Sequence, residues 1–204
     1  VSVGPDRVEE SLRKCLAKGA DRAIRVWSDE MEGSDSITVG RILAAVAEQE
    51  KPDMIFAGVQ SSDDANGSTG ISLSSYLNWP HAAVVAGLDY TPGSNKAVAT
   101  RELEGGMAQD VEISCPAVLT IQLGINTPRY ASLRGIKQAA AKPIEEISLS
   151  DFGLSAEDVG ADASFARVRR MYIPEKGMAT MIEGTPAEQA AKLAEIIKEY
   201  RGEL

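Results

Sequence analysis

The residues with the clearest capacity for binding chemistry form one polar loop between two apolar segments. The loop is rich in Ser, Asp, Asn and Gly and consists of Gly58, Val59, Gln60, Ser61, Ser62, Asp63, Asp64, Ala65, Asn66, Gly67, Ser68 and Thr69. It leaves a predicted buried strand at residues 54–57 and enters a predicted helix at residues 69–77, which is where open α/β sheets bind ligands. Unpaired backbone N–H groups of Gly67, Ser68 and Thr69 at the helix start would favour an anion, so the loop predicts a site for a mononucleotide phosphate.

Other interpretations of this loop remain open from the residues alone. It lacks both the Gly-Lys-Ser/Thr of a Walker loop and the glycine spacing of a dinucleotide-binding turn, so a solvated loop with an ordinary helix cap is the alternative. Asp63 and Asp64 are adjacent and therefore point apart, and no histidine lies nearby in sequence, which disfavours a metal or acid–base pair. We interpret these carboxylates as solvating the loop or bonding to a ribose.

Residue types that could support catalysis are sparse. The only histidine, His81, starts a predicted strand and belongs to no nucleophile motif. The sequence contains no Gly-x-Ser-x-Gly, His-Glu-x-x-His or Cys-x-x-Cys pattern. Cys15 and Cys115 lack redox or metal spacing, and we expect both to be free thiols in the core. The sequence therefore favours binding over catalysis and predicts neither a catalytic residue nor a metal site.

The charge balance limits the classes of partner. With 21 basic and 30 acidic residues the net charge is −9, which disfavours nucleic acid or an anionic membrane surface as a partner. No run of about 18 apolar residues is long enough to span a bilayer, and the first residues do not form a secretory signal. We therefore expect a cytoplasmic protein without membrane insertion.

One stretch reverses the overall charge. No acidic residue occurs between Glu112 and Glu145. The same stretch contains four cations, Arg129, Arg134, Lys137 and Lys142. Tyr130 and Leu133 lie among them, and an apolar anchor with a charged rim is typical of a docking site. The alternative is that Leu133 covers the local core while the cations solvate the loop.

Hydrophobic periodicity predicts the elements that would position these residues. A strand ending at Pro5 precedes a helix that ends at Gly19. A second strand at residues 23–27 precedes a helix that begins at a Ser34 or Asp35 cap and ends near Pro52. Strands and helices that alternate with short connections form right-handed crossovers around a parallel sheet. Further strands are predicted at residues 81–90 and 117–123. Residues 96–103 and 107–114 alternate as a hairpin.

These elements define the expected fold class and domains. The class is α/β, a doubly wound and mainly parallel Rossmann-like sheet with an antiparallel hairpin at one edge, over residues 1–150. Residues 151–184 show no period and predict a loosely structured arm. Thr185 to Glu188 form a capping box, and Leu193, Ile196, Ile197 and Tyr200 form an apolar stripe. Residues 151–204 are therefore expected to dock on a partner subunit.

With these segments placed, the chain resembles the β subunits of electron transfer flavoproteins over nearly its whole length. The matching segments are residues 3–5, 19–23, 52–53, 58–70, 77–80, 101–106, 115–118 and 128–131. Residues 58–63 and 171–177 are most similar to the subunit from methylotrophic bacteria that serves trimethylamine dehydrogenase.

The resemblance implies a heterodimer in which an α subunit holds most contacts to a redox-active FAD. In this family the β subunit has the adenine nucleotide-binding type of Rossmann-like fold and binds a structural AMP. It has no catalytic residues and docks a dehydrogenase. By position, the AMP contacts fall on Val3 and on residues 58–69. Leu133 matches the family's recognition leucine, and Tyr130, Arg129 and Arg134 surround it.

The family also begins with a further strand and helix before the position of Val1. We therefore expect the nucleotide-binding domain to be N-terminally incomplete in this sequence. Two alternatives remain. One is a free-standing adenine-nucleotide sensor, for which the arm has no evident use, and the other is an adenylating enzyme of the same fold, whose pyrophosphate loop is missing.

Overall fold

The polar loop at residues 58–69 and the docking segment, residues 129–134, lie in the first of two compact units of the chain. The structure is a computed structural model that describes residues 1–175, 177 and 179–202. Its units are Val1–Arg167 and Val168–Leu204. The division lies later than the expected one after residue 150, because residues 151–167 pack within the first unit. Lys176, within the segment that carries the finer resemblance, lies outside the described residues.

The order of strands and helices follows the hydrophobic pattern closely. The strands are β1 (Ser2–Val3), β2 (Ile24–Val26), β3 (Met54–Gly58), β4 (His81–Asp89), β5 (Lys96–Glu102), β6 (Ala108–Ser114), β7 (Ala117–Ile121) and β8 (Glu145–Ile147). The helices are α1 (Glu9–Ala17), α2 (Ser36–Glu50), α3 (Thr69–Leu77), α4 (Leu133–Ala141), α5 (Gly160–Ala163) and α6 (Pro186–Gly202). Every predicted strand and helix is present. Three elements, α4, β8 and the short α5, were not expected from the pattern.

The larger sheet has the order β3-β7-β4-β5-β6. Its β3, β7 and β4 are parallel, and β5 and β6 extend it in antiparallel pairing. The predicted hairpin is confirmed, with Lys96 opposite Ser114 and Glu102 opposite Ala108. Gly105 and Gly106 at its tip both have a φ of 74°, a conformation that glycine adopts without steric cost. The expected α/β class with a hairpin edge is therefore confirmed.

The expectation that the first strands join β3 in one sheet is wrong. A second sheet has the order β1-β2-β8, with all strands parallel. A groove of about 550 Å³ lies between the sheets, lined by Val1 and Ile24 on one side and by Met54–Gly58 on the other. Within the described part of the chain no strand pairs with the groove-facing edges of β1 and β3. Backbone hydrogen bonds therefore do not connect the two sheets.

Helix α2 packs against both the smaller sheet and α3. Ile42 and Val46 join Ile24 and Val26 in one buried cluster. At the crossing with α3, a Cβ atom on Gly40 would lie 2.7 Å from the Cβ of Ser72 and 2.9 Å from the backbone nitrogen of Leu73. Only glycine permits this approach of the two helices.

Asp35 joins the start of α2 to the segment after α5. Its carboxylate accepts hydrogen bonds from the backbone N–H of Thr38 at 2.8 Å and of Phe165 and Ala166 at 2.9 Å each. Its own N–H donates to the Ser164 hydroxyl at 2.8 Å. Burial alone would raise the pKa of Asp35, but the hydrogen bonds to its carboxylate outweigh burial and lower the pKa. Asp35 thus holds residues 164–166 to the start of α2 through both its carboxylate and its backbone N–H.

The second unit consists of an arm and α6. The predicted capping box is confirmed, because the Glu188 carboxylate accepts hydrogen bonds from both the N–H and the hydroxyl of Thr185 at 2.7 Å. Leu193, Ile197 and Tyr200 form an exposed apolar stripe along α6. Among the described residues, no helix combines the length and hydropathy needed to cross a membrane.

We expect Gly40→Ala to destabilise the protein by about 1 to 3 kcal/mol, because the added methyl group would meet the backbone of α3. Helix propensity alone predicts the opposite, a gain of about 1 kcal/mol. Urea unfolding measures the difference. Glu48→Ala, at an exposed position of the same helix, is the control and should change stability by less than about 0.5 kcal/mol. Stabilisation by Gly40→Ala would contradict the close crossing.

We expect Asp35→Asn to cost about 1 to 2 kcal/mol and to speed hydrogen exchange at the amides of Phe165 and Ala166. Because the folded pKa is lowered, the carboxylate stabilises the protein above the unfolded pKa of about 4, and this stabilisation is lost as pH falls through the folded pKa. Unfolding at several pH values, with Asp21→Asn as an exposed control, tests this. An unchanged exchange rate at both amides would be inconsistent with the described hydrogen bonds.

Candidate functional site

The polar loop at residues 58–69 connects the carboxyl end of β3 to α3, as predicted. Ala65 and Gly67 have left-handed backbone, with φ values of 51° and 61°, and turn the chain toward the helix. Buried Gly70 in the first turn brings α3 against the sheet, since a Cβ there would lie 2.7 Å from the Cγ2 of Thr120. The start of α3 is therefore held tightly against β7.

The starts of α2 and α3 meet beside this loop. Ser68 is the N-cap residue of α3, but its side chain makes no capping hydrogen bond. Its hydroxyl lies instead 2.6 Å from the hydroxyl of Ser36, the first residue of α2. The carboxylate of Asp35 already occupies the α2 start. The positive end of α3 is thus the one that retains the capacity to attract an anion.

The Asp63 carboxylate forms hydrogen bonds within the loop. The hydroxyl of Ser61 and the N–H of Asp64, at 2.9 Å, hydrogen-bond to Asp63 and lower the pKa of its carboxyl, and the charge of Arg7 adds a smaller attraction. Asp63 therefore stays ionised at neutral pH. Within the part of the chain that the structure describes, no three His, Cys, Asp or Glu side chains are grouped closely enough to hold a metal ion.

Val3 lies at the end of β1, where Gly4 donates a backbone hydrogen bond to Val26 at 3.1 Å. The Val3 side chain is half-buried and packs on the cluster that contains Ile24 and Ile42. Its backbone, rather than its side chain, is therefore the part that could contact a nucleotide.

Leu133 and Arg134 begin helix α4, whereas Arg129 and Tyr130 lie in the loop before it. Ser132 caps α4 by accepting a hydrogen bond from the N–H of Gly135 at 3.0 Å. Leu133 is 88% exposed and Tyr130 is 99% exposed, and Arg134 is also exposed. This exposure excludes the alternative that Leu133 covers the local core.

The cations of this segment do more than solvate it. Arg129 donates to the carbonyl of Lys18 at 3.2 Å, at the end of α1. Lys142 donates to the carbonyl of Ala20 at 2.9 Å, just beyond the same end. In return, Arg13 of α1 donates to the carbonyl of Ala139 in α4 at 2.8 Å. The two helices therefore satisfy polar groups at each other's carboxyl ends, and Arg129 is partly a structural residue.

The remaining candidates for chemistry stand apart from both sites. His81 is exposed at the start of β4. Cys15 and Cys115 are free, as expected, but the expectation that both lie in the core is wrong. Cys15 is exposed on α1 because the buried stripe of that helix consists of Leu12 and Leu16. Cys115 is half-buried, and burial together with the charge of Asp53 raises the pKa of its thiol.

Two residues near these sites were not among the expected ones. Ser36 reaches the loop only through the crossing of α2 and α3, and no local signal places it beside Ser68, 32 positions away. Ile136 is exposed one turn after Leu133. A capping Ser132, followed by apolar residues at Leu133, Ile136 and Ala140, is the local signal that could have predicted this helix.

Residues 1–152 match the electron transfer flavoprotein domain. The chain is 77% identical over 202 residues to the electron transfer flavoprotein subunit beta of Methylophilus methylotrophus, covering 99% of this chain and 76% of the relative.

More distant relatives carry the same name. The subunit beta of Bacillus subtilis is 31% identical over 199 residues, covering 97% of this chain and 76% of its own length. That of Homo sapiens is 35% identical over 198 residues, with coverages of 96% and 74%. The resemblance to the beta subunits of methylotrophic bacteria is confirmed by the first of these matches. The family domain and these similarities over nearly the whole chain together establish that the chain belongs to the electron transfer flavoprotein family, among its beta subunits.

Proposed function

We propose that this chain is the subunit of an electron-carrying heterodimer that provides the scaffold, a structural AMP site and the dehydrogenase docking surface. The observation that carries the proposal is the 77% identity to a beta subunit across nearly the whole chain. An α subunit holds most contacts to FAD, and the flavin supplies the redox chemistry. This chain contributes no catalytic residue. Its free thiols suit a reducing compartment such as the cytoplasm.

The AMP phosphate would bind at the start of α3. The N–H groups of Gly67, Ser68 and Thr69 at the start of the helix would attract an anion, and the hydroxyls of Ser68 and Thr69 would add donors. Asp63 and Asp64 would lie on the ribose side, where carboxylates accept hydrogen bonds from sugar hydroxyls. This assignment is supported by the position of the loop at the end of β3 and by the occupation of the neighbouring α2 start by Asp35.

The groove between the two sheets lies between two strand edges and could hold a further strand beside the nucleotide site. The facing edges of β1 and β3 offer unpaired backbone groups, and such edges accept a further strand. We infer that the additional strand of the family lies there and joins the two sheets into one. The exposed Phe56, on β3 beside the groove, would then be covered by the additional helix. Both additional elements would complete the adenine side of the nucleotide site.

Docking of the dehydrogenase would use the exposed start of α4. Leu133 and Tyr130 are large apolar side chains with almost no protein contact, and such residues anchor interfaces when a partner buries them. Arg129 and Arg134 flank them with positive charge. The high identity to a protein of a methylotroph makes trimethylamine dehydrogenase the partner that we propose.

The arm and α6, in residues 151–204, would dock on the α subunit. The apolar stripe of Leu193, Ile197 and Tyr200 is exposed along a capped helix, which is the arrangement of a helix that packs into a groove of another protein. Phe165, Val168, Met171 and Ile173 add exposed apolar side chains before it.

For the nucleotide site, we expect Thr69→Glu to reduce the AMP that is released from the denatured αβ complex by tenfold or more, roughly, because its carboxylate repels a phosphate at the helix start. FAD content should not change. A carboxylate in the first turn favours the helix, so folding is not expected to suffer. Ser75→Glu, exposed near the other end of α3, is the matched control. An unaltered ratio of AMP to FAD in Thr69→Glu would contradict binding of the AMP phosphate at the start of α3.

For docking, we expect Leu133→Ala to lower the bimolecular rate of flavin reduction by dehydrogenase by about tenfold, since an interface anchor is lost, with FAD content unchanged. Stopped-flow absorbance of the αβ complex with reduced trimethylamine dehydrogenase measures this rate. Leu123→Ala is the control, because Leu123 is 94% exposed on a different loop. Equal rates in both variants would argue against docking at Leu133.

A further inference from the structure

An apolar groove between α1 and α4 lies beside the proposed docking segment. Its volume is about 440 Å³. The side chains that line it include Ala17, Ala131, Ile136 and Ala140 and the aliphatic stems of Arg13 and Lys14. Ala17, Ala131 and Ala140 are small, so the groove has room for a large apolar side chain.

Leu133 lies on the same face of α4 as two residues that line the groove. On α4, Leu133, Ile136 and Ala140 follow the spacing i, i+3, i+7 and therefore lie along one face of the helix. Leu133 and Ile136 are both exposed. A partner that buries Leu133 would meet the groove along the same face of the helix.

The walls of the groove are fixed before any partner arrives. A Cβ atom on Gly135 would lie 2.5 Å from the carbonyl oxygen of Ala17, so α4 approaches α1 as closely as the backbone allows. Hydrogen bonds from Arg13 to Ala139 and from Arg129 to Lys18 hold the helix ends together. A preformed groove loses little conformational entropy on binding.

The charge around the groove is positive in a protein of net charge −9. Lys18 lines it, Lys137 follows Ile136 on α4, and both are exposed. The acidic residue of the lining, Glu10, is paired with Lys14 at 2.6 Å. The complementary partner surface is therefore an apolar side chain with carboxylates beside it.

We propose that the groove between α1 and α4 is a second anchor point for the dehydrogenase and accepts an apolar side chain flanked by carboxylates. This inference rests on the proposed docking function and extends it from one protruding leucine to a paired arrangement. Leu133 enters the partner, and the groove receives a side chain from the partner. Reciprocal insertion fixes the orientation of a docked surface better than a single anchor does.

The test uses the αβ complex and reduced trimethylamine dehydrogenase in stopped-flow experiments. Ala140→Phe fills the groove at an exposed position and should lower the bimolecular rate constant by about tenfold, with FAD and AMP content unchanged. Ala141→Phe is the matched control, because it adds the same ring at the next exposed position, which does not line the groove. It should react at the rate of the unmodified complex.

Two charge-reversal variants test whether carboxylates of the partner lie beside the groove. Lys18→Glu should lower the rate constant and weaken its dependence on salt, because a cation facing carboxylates is replaced by an anion. Lys51→Glu changes the net charge equally at the corresponding C-cap position of α2 and should leave the rate unchanged. Equal changes of the rate constant in the two variants would contradict the proposal that partner carboxylates lie beside the groove.

The outcomes separate this inference from the proposed function. If Leu133→Ala slows flavin reduction but Ala140→Phe reacts like Ala141→Phe, the groove is not an anchor and docking at Leu133 stands. If Leu133→Ala also leaves the rate unchanged, both the docking function and the groove are contradicted. Slow reaction of Leu133→Ala and Ala140→Phe together, with normal Ala141→Phe, supports paired insertion.

Discussion

The polar backbone groups at helix ends are the constraint on which the described sites depend. The first N–H groups of a helix have no partner inside the helix and must find acceptors elsewhere. Asp35 supplies the acceptor for α2, Ser132 for α4 and the Thr185 hydroxyl for α6. The start of α3 lacks a comparable side-chain cap. Among these four helices, the one whose start receives no side-chain cap is thus the one beside the loop that is proposed to hold a phosphate.

The same constraint acts at the carboxyl ends of α1 and α4, with the opposite charge. Arginine and lysine side chains donate to carbonyl groups at or just beyond these ends, which suits the negative end of a helix dipole. These contacts fix α4 on α1 and so fix the direction in which Leu133 projects. A positively charged surface therefore follows from the way the helices are held together, and a docking surface can use charges that folding already requires.

Local signals in the sequence predicted much of this structure. Residues 69–77 form α3 as expected, and Asp35 and Thr185 cap the helices that they precede, because capping depends on neighbours within three positions. The division of the sheet was not predictable, since hydrophobic patterns do not tell which parallel strands pair. The link from Arg129 to Lys18 spans 111 positions, and the meeting of Ser36 with Ser68 depends on Gly40, so neither has a local signal.

The contact between Ser36 and Ser68 joins two parts of the molecule that are far apart in sequence. Phe165 donates to Asp35, Asp35 precedes Ser36, and the Ser36 hydroxyl lies 2.6 Å from that of Ser68. The last residues of the first unit and the start of α3 are therefore linked by two hydrogen bonds and the peptide bond between Asp35 and Ser36. Residues linked in this way are energetically coupled, so we expect that the free-energy costs of substitutions at Asp35 and Ser68 do not add. Selection would then act on these positions jointly, and each substitution would be tolerated or not according to the residue at the other.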